Sequence, residues 1–318
     1  MESTKKKSPL ERAPVVTLTA LLCCFLWGSA FPGIKTGYRL LAISSDDSGA
    51  QLLFAGVRFM LAGVLVVLLG SLRARRFLAL RKSAVPRALV LAATQTVGQY
   101  IFFYIGLAHA SGVRCSIVGA SESFLCILLA AVLFRREALT GRKLLGCALG
   151  FAGVVLVNVW GHAGNLADGV SFLGEGFIFL SCISAALAVV FIREFGRFED
   201  PVALSGWQFF IGGAVLAAVG AVMGGRVSFA ASPAGTGLLF YLALVSCTAY
   251  TLWSLLLQVN PVSRIAIYGF MTPVFGVVLS GLLLGEGAQA FSPVSLLALI
   301  LVSAGIIIVN RDAPEKAQ

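Results

Sequence analysis

Ten apolar runs, each roughly 20 residues long, follow one another along this chain. An α-helix rises 1.5 Å per residue, so about 20 residues cross the roughly 30 Å hydrocarbon layer of a bilayer. Composition agrees, because 58% of the 318 residues are hydrophobic and 12% are charged, which is more apolar surface than a soluble domain buries. The sequence therefore predicts an all-α membrane protein with ten transmembrane helices, at 15–34, 52–71, 88–108, 113–134, 143–160, 172–192, 203–223, 236–257, 262–284 and 294–310.

The second half of the chain repeats the pattern of the first. Gly206-Trp207-Gln208-Phe209 matches Gly56-Val57-Arg58-Phe59 at an offset of 150 residues (206 − 56 = 150), and Val309-Asn310 later matches Val157-Asn158. Matches that keep their order indicate a duplication. They predict a cytoplasmic N-terminal tail at 1–14, a first five-helix repeat at 15–160, an outer linker at 161–171, a second five-helix repeat at 172–310 and a cytoplasmic C-terminal tail at 311–318.

The positive charges lie between the apolar runs, and they predict the orientation of the chain. Lys and Arg are enriched in cytoplasmic loops. The loop after Ser71 is rich in Arg, whereas the equivalent loop after Met223 carries only Arg226. This reversal, with five spans per half, predicts two repeats inserted upside down relative to each other and both termini cytoplasmic, in the cell (inner) membrane. The net charge of +10 is thus explained without a nucleic-acid partner.

Motifs of enzymes and cofactor sites are absent from the sequence. The seven cysteines form no CxxC pair, and the two histidines, His109 and His162, fall in or beside predicted outer loops. No HExxH, GxSxG or GxxxxGK[ST] motif occurs, although metalloproteases, hydrolases and nucleotide-driven proteins need such groupings. The sequence predicts no enzyme, no metal and no cofactor; the predicted partners are the lipid bilayer and a small molecule.

Several short motifs, each present in the expected span and in the expected order, resemble those of the EamA family of the drug/metabolite transporter superfamily. They are Trp27-Gly28 with Phe31 and Lys35, Arg58-Phe59, Pro273 with Leu284-Gly285-Glu286, and glycine-rich last spans that end in Val-Asn. The resemblance covers 17–158 and 173–310. It implies a ten-helix inverted repeat around a central substrate cavity, in a family with many exporters of amino acids or other small metabolites. One departure is Phe124, where the family usually has a proline that corresponds to Pro273.

Charged and polar residues inside the predicted spans are the candidate substrate-binding residues. A charge inside a bilayer is costly and usually faces a cavity or a partner. From the helix rise, Arg58 lies about 9 Å from the outer end of its span, and Gln99 and Glu122 each lie about 13 Å from theirs. We expect Arg58, Gln95, Gln99, Tyr104 and Glu122 to line the outer part of a central cavity. The alternatives are that Arg58 and Glu122 neutralise each other, or that Arg58 extends outward to the interface.

The second half offers weaker candidates for substrate binding, because the polar residues at its matching positions inside the spans are neutral. They are Gln208, Trp253 and Tyr268 for substrate binding, and Pro273, which frees a backbone carbonyl and bends its helix, for gating or kinking. Packing or an interfacial belt is the alternative for the aromatic residues. Glu122 is also a candidate for proton coupling, since a carboxyl group in a low-dielectric site can bind and release a proton.

These features predict a secondary transporter, acting as an exporter of a small polar metabolite such as an amino acid, by alternating access around the central cavity. A nucleotide-sugar or sugar-phosphate antiporter is the alternative within transporters, and it would favour several basic residues in the cavity. An intramembrane lipid-modifying enzyme is the alternative from another class, and it would favour His or Asp clustered at one depth. A receptor or assembly subunit without transport activity is a further alternative.

Overall fold

The first half of the molecule contains five helical spans. The computed structural model describes residues 9–132, 140–160, 171–196, 198–260, 265 and 267–310. The third span contains a π-helical turn, and the fourth is interrupted at Ala120. The spans are α1 (Ala13–Leu40), α2 (Ser48–Ala74), α3 (Val85–Leu91, Ala92–Gly98 and Gln99–His109), α4 (Gly112–Gly119 and Ser121–Val132) and α5 (Gly141–Trp160).

The second half has the same number of helical spans within the described residues, which confirms the all-helical, repeated architecture. Seven helices of the described chain are long and apolar enough to cross a membrane, and two further apolar helices are shorter. The spans are α6 (Phe172–Gly176 and Phe177–Phe195), α7 (Pro201–Val222), α8 (Pro233–Val259), α9 (Ile267–Phe270 and Met271–Leu283) and α10 (Pro293–Asn310).

Side-chain caps fix where several of these helices begin. Asp47 accepts a hydrogen bond from the Ala50 amide at 2.8 Å before α2, and Asp200 accepts one from the Val202 amide at 2.8 Å before α7. Ser111 and Ser232 cap α4 and α8 in the same way. A capping side chain satisfies a backbone N–H that has no partner within the helix. The loops between the spans therefore hold the residues that start the next helix.

Helices α2 and α7 pack against each other through glycines at reciprocal positions. A Cβ atom added to Gly56 would lie 2.6 Å from the Gly213 carbonyl oxygen, and one added to Gly63 would lie 2.6 Å from the Gly206 carbonyl oxygen. The two contacts are equivalent, because the 150-residue offset converts Gly56 into Gly206 and Gly63 into Gly213 (56 + 150 = 206; 63 + 150 = 213). From the first contact to the second, the position advances along α2 from Gly56 to Gly63 but recedes along α7 from Gly213 to Gly206. Equivalent helices thus run antiparallel, as an inverted repeat requires.

Helices α5 and α10 repeat this arrangement. A Cβ atom at Gly153 would lie 2.7 Å from the Ala298 carbonyl oxygen, and one at Gly305 would lie 2.9 Å from the Gly150 amide nitrogen. Small residues let helix backbones approach closely within a membrane. Two pairs of equivalent helices therefore join the halves.

Two pairs of equivalent residues meet at the centre of the bundle. The rings of Phe59 and Phe209 lie 5.5 Å apart, and the hydroxyl oxygens of Tyr100 and Tyr250 lie 3.2 Å apart. Both pairs are separated by 150 residues (209 − 59 = 150; 250 − 100 = 150). A residue that contacts its own equivalent lies on the axis relating the repeats. The pseudo-twofold axis therefore passes through both pairs, between the two members of each pair.

Helices α4 and α9 meet closely at one end of the molecule. This end carries the turn between α3 and α4, and it is called the outer end because the sequence predicts that it faces outside. There a Cβ atom at Gly112 would lie 3.1 Å from the Ser280 Cβ, and Ser116 contacts Gly276. The second segment of α4, Ser121–Val132, packs instead mainly against α6 and α5. The halves are thus joined tightly at the outer end.

Candidate functional site

Arg58 is buried at the centre of the bundle, where three protein groups receive its hydrogen bonds. Its guanidinium donates to the Leu242 carbonyl oxygen at 3.1 Å, the Tyr104 hydroxyl at 2.8 Å and the Ser246 hydroxyl at 3.0 Å. Only 3% of the residue is exposed. Arg58 therefore connects α2 to α3 of its own half and to α8 of the other half.

Gln208, the equivalent of Arg58, makes the corresponding connection from α7 to α3. Its Oε1 accepts a hydrogen bond from the Thr96 hydroxyl at 2.6 Å, and its Nε2 donates to Gln95 Oε1 at 2.9 Å. Thr96 and Ser246 are themselves equivalent (246 − 96 = 150). The π-helical turn Ala92–Gly98 carries both α3 partners, and such turns are frequent at functional sites.

The structure brings Arg58, Tyr104, Gln95 and Gln208 together around the axis, and it contradicts both alternatives given for Arg58. The guanidinium bonds to uncharged groups. Within the described ranges, the structure records no ion pair between Arg58 and Glu122. The alternative that Arg58 and Glu122 neutralise each other was wrong, because three neutral acceptors already surround the guanidinium. The alternative of an outward-extended Arg58 was also wrong, because the side chain is buried.

Glu122 lies in the second segment of α4, just after the interruption at Ala120. It is half-buried. Phe124 is fully buried, and its ring lies 5.7 Å from that of Phe151. The fourth span is thus interrupted although it contains no proline.

Three aromatic side chains form a wall beside the axis. The ring of Trp27 lies 5.0 Å from the ring of Trp253 and 5.6 Å from the ring of Tyr250. The indole N–H of Trp27 is buried without a hydrogen-bond partner in the described structure. We call Trp27, Trp253 and Tyr250 the aromatic wall. The Trp27 indole N–H is its one buried, unused donor in the described structure.

The other predicted residues lie at varied positions. Gln99 is half-buried and begins the last segment of α3. Tyr268 donates to, or accepts from, the Thr17 hydroxyl at 2.6 Å, and it packs on a small cluster with Leu256 and Ile265, separate from the main core. Pro273 is buried at the third position of the α-helical segment of α9, after a 3₁₀ turn. The structure therefore does not bring Tyr268 into the group around Arg58.

Tyr100, Thr96 and Ser246 were missed by the sequence interpretation. Each is buried and polar in the central group. The 150-residue offset was a usable signal, because it pairs Tyr100 with Tyr250 and Thr96 with Ser246. Neutral polar side chains are a weaker signal of function in an apolar span than charged side chains are.

Charged side chains hold the turn between α3 and α4 at the outer end. The Lys35 ammonium donates to the Ala110 carbonyl oxygen at 2.6 Å and to the Leu107 carbonyl oxygen at 3.3 Å. The Glu286 carboxylate accepts from the amides of Gly112 at 3.1 Å and Val113 at 3.0 Å. A cation at a helix C-terminus and an anion at a helix N-terminus are both stabilising. These contacts join α1 and the loop after α9 to this turn.

A cavity of about 460 Å³ opens beside that turn. Arg114 and Glu175, which line it, form an ion pair at 3.0 Å and connect α4 to α6. Its other polar lining residues include Lys35, His109 and Gln289. A second cavity, of about 270 Å³, lies at the opposite end between Arg76, Arg81 and Glu199. No cluster of three or more His, Cys, Asp or Glu suited to a metal ion occurs in the described ranges.

Comparison with known proteins matches both halves of the chain to one family. Residues 15–159 and 172–311 each match the model of the EamA-like transporter family. An uncharacterized transporter of Bacillus subtilis (strain 168), YvbV, is 30% identical over 95% of this chain and 94% of that protein. The uncharacterized inner membrane transporter YedA of Escherichia coli (strain K12) is 26% identical over 90% of this chain and 87% of that protein.

A solved crystal structure shares the fold. It aligns with a TM-score of 0.63 at 20% identity and covers 93% of this chain and 96% of that chain. At this level of identity the likeness concerns the arrangement of helices.

Proposed function

Because this chain belongs to the EamA-like transporter family of the drug/metabolite transporter superfamily, we propose that it exports a small polar metabolite, such as an amino acid, by alternating access. The chain is a multi-pass membrane transporter and not an enzyme. The observation that carries the proposal is the group of hydrogen-bonded polar residues on the pseudo-twofold axis, where Arg58 and Gln208 each reach into the other half. Transporters built from inverted repeats bind substrate between the repeats near the bilayer midplane.

The packing of the helices supports alternating access. The glycine contacts of α2 with α7 and of α5 with α10 are too close for added side chains, so these pairs suit a persistent scaffold. Helices α4 and α9 contact each other closely at the outer end, while the inner segment of α4 packs elsewhere. We infer that the described state is closed toward the outside. Separation of α4 from α9 at the outer end would convert it to the outward-open state of the transport cycle.

The charges support a polar metabolite over a highly anionic one. A nucleotide sugar or a sugar phosphate would require several free cations in the cavity. The guanidinium of Arg58 already serves three protein acceptors. Lys35 and Arg114 are engaged at the outer end with backbone carbonyls and with Glu175. Export rests on the family resemblance, and Glu122 is the proposed proton-coupling group.

The distribution of charge supports an orientation with both termini in the cytoplasm. Arg73, Arg75 and Arg76 follow α2, whereas the turn after α7 carries only Arg226. Cytoplasmic loops of membrane proteins are enriched in Lys and Arg. The proposed location is the cell (inner) membrane, the location named for the Escherichia coli relative.

Uptake and release of labelled amino acids by proteoliposomes test this function. We expect protein-dependent flux that saturates with substrate, and a dependence on an imposed pH gradient that Glu122→Gln removes. Empty liposomes and the exposed-residue variant Asp46→Asn serve as controls. Absence of flux for any polar metabolite in a broad panel would remove the transport proposal. Flux that ignores the pH gradient would remove only the coupling role of Glu122.

A further inference from the structure

A cavity of about 270 Å³ lies at the inner end of the molecule, the end opposite the turn between α3 and α4. One side is the loop after α2, which holds Arg76 and Arg81. The other side is the loop before α7, which holds Glu199 and Asp200. Helix α2 belongs to the first half of the chain and α7 to the second. The cavity therefore lies between the two halves, at the ends of their spans.

Both acidic residues of this cavity already have partners within the protein. Glu199 forms an ion pair with Arg87 of α3, and the Arg87 guanidinium also lies 5.1 Å from the centre of the Phe198 ring. Asp200 caps α7 and accepts hydrogen bonds from two backbone amides in the first turn of that helix. The negative charge of the cavity is therefore used by the protein itself.

The two basic residues that line the cavity are available to a ligand. Arg76 and Arg81 are exposed, and within the described ranges neither has an ion pair or a side-chain hydrogen bond. A guanidinium group is planar and presents paired donors that match the oxygens of a phosphate. Positive charges grouped at a concave site attract anions. The charge that the cavity offers to a ligand is therefore positive.

Hydrogen bonds fix the loop that carries these two arginines. The indole N–H of Trp207 in α7 donates to the Leu78 carbonyl oxygen at 2.8 Å, and the Leu78 amide donates to the Ser71 hydroxyl at 3.0 Å. The ring of Phe77 lies 6.4 Å from the ring of Trp207. The backbone between the arginines is thus anchored to the other half of the molecule. A site on a fixed backbone loses less entropy when a ligand binds than one on a free chain does.

Exposed apolar side chains surround the charged groups. Phe77 and Phe198 line the cavity and are each 66% exposed, and Leu72 in the last turn of α2 is 74% exposed. The cavity lies where α2 ends and α7 begins, which is the level of the phospholipid headgroups for spans that cross the bilayer. Acyl chains gain free energy by covering apolar side chains, whereas a water-soluble anion does not. The surroundings of the arginines therefore favour an amphipathic anion.

We propose that this cavity binds the phosphate of an anionic phospholipid of the inner leaflet through Arg76 and Arg81. The acyl chains lie along the exposed side chains of Leu72, Phe77 and Phe198. The volume agrees, because it is below the roughly 300 to 1,000 Å³ of pockets that enclose a whole small-molecule ligand, and it suits a headgroup. Basic pockets between membrane helices on the cytoplasmic side bind lipid headgroups in this way. The site is independent of the transported substrate and takes only the orientation of the chain from the proposed function.

Four probes that separate charge from acyl chains test the inference. Dioleoyl-phosphatidylglycerol is anionic, and dioleoyl-phosphatidylcholine has the same acyl chains but no net charge. Glycerophosphoglycerol is the anionic headgroup without acyl chains, and inorganic phosphate is the free anion. Native mass spectrometry of the purified full-length protein measures binding, and thermal unfolding measures stabilisation. We expect phosphatidylglycerol to bind at least about tenfold more tightly than each of the other three probes.

Variants connect this preference to the cavity. Arg76→Gln/Arg81→Gln removes both charges with little change in size, and it should weaken binding of phosphatidylglycerol by about tenfold or more. The matched control is Arg73→Gln/Lys82→Gln, which removes two positive charges from exposed residues of the same end that do not line the cavity. It should keep the preference for phosphatidylglycerol. Thermal unfolding without lipid confirms that both variants are folded.

Three results would overturn the inference. The first is equal binding of phosphatidylglycerol and phosphatidylcholine. The second is an unchanged affinity for phosphatidylglycerol in folded Arg76→Gln/Arg81→Gln protein, or an equal loss in both double variants, which would indicate general attraction by surface charge. The third is binding of inorganic phosphate or glycerophosphoglycerol as tight as that of phosphatidylglycerol, which would assign the cavity to a soluble anion.

Discussion

Arg58 and Gln208 occupy equivalent positions in the two halves, yet one is charged and the other is neutral. Both reach from the second helix of their half to the third helix of the other half, where Ser246 and Thr96 are equivalent partners. The backbone geometry has therefore been kept in both halves while the side chains have diverged. The symmetric contacts explain how the halves are joined, and the asymmetric ones show where the two halves differ in charge.

The largest predicted effect tests the symmetric contacts. Gly56→Ala and Gly213→Ala each place a Cβ atom against backbone of the opposite helix, at 2.6 Å from Gly213 O and 2.8 Å from Gly56 O respectively. We expect each change to lower the free energy of unfolding by about 3 kcal/mol, since helix backbones cannot move apart cheaply. Thermal unfolding in detergent measures this. Gly237→Ala, which meets no atom within 4 Å, is the control.

Similar losses for Gly56→Ala and Gly213→Ala would support the reciprocal packing. A large loss for one and none for the other would contradict it.

The next prediction sharpens the contrast between Arg58 and Gln208. Arg58→Met leaves the Tyr104 and Ser246 hydroxyls and the Leu242 carbonyl without their donor. We expect it to lower the free energy of unfolding by about 3 kcal/mol. Gln208→Leu removes a hydrogen-bond partner only from Thr96 and Gln95. We therefore expect it to lower the free energy of unfolding by about 1 to 2 kcal/mol. Denaturation in detergent compares them. Equal losses would mean that the charge adds nothing to the inter-repeat connection.

A smaller effect is expected on the axis itself. Tyr100→Phe and Tyr250→Phe each remove one hydroxyl of the 3.2 Å pair, and each should cost about 1 kcal/mol. The double variant should cost less than the sum of the two, because the same hydrogen bond is lost in all three proteins. A thermal-stability double-mutant cycle measures the coupling. Strict additivity would show that the hydroxyls do not interact.

The smallest effect concerns the contacts at the outer end. Glu286→Gln weakens the acceptor of the Gly112 and Val113 amides, which we expect to favour opening of the outer end by about 1 kcal/mol. Labelling of a Ser111→Cys variant by a membrane-impermeant maleimide should become several-fold faster. Gln289→Ala, a change beside the same cavity, is the control and should leave the rate unchanged.

The sequence predicted the architecture well because apolarity and repetition are local or periodic properties. Runs of about 20 apolar residues mark the spans. The 150-residue offset that relates Arg58 to Gln208 also relates Phe59 to Phe209 and Tyr100 to Tyr250, which meet on the axis. Of the three partners of Arg58, Tyr104 was predicted to lie near it, but Leu242 was not predictable because it lies 184 residues away and offers only a backbone oxygen. The interruption at Ala120 was also missed, since no proline marks it.

A reversible cross-link between α4 and α9 tests the central claim of alternating access most directly. In the variant Gly112→Cys/Ser280→Cys, the two Cβ atoms would lie about 3.1 Å apart, so a small separation of the helices brings them to the roughly 3.5 to 4.5 Å spacing of a disulfide. The single variants Gly112→Cys and Ser280→Cys, which cannot form this disulfide, together serve as the control. The account predicts that oxidation stops flux in the first variant, that reduction restores it, and that the control keeps its flux when oxidised. Undiminished flux through the fully oxidised first variant would contradict the account.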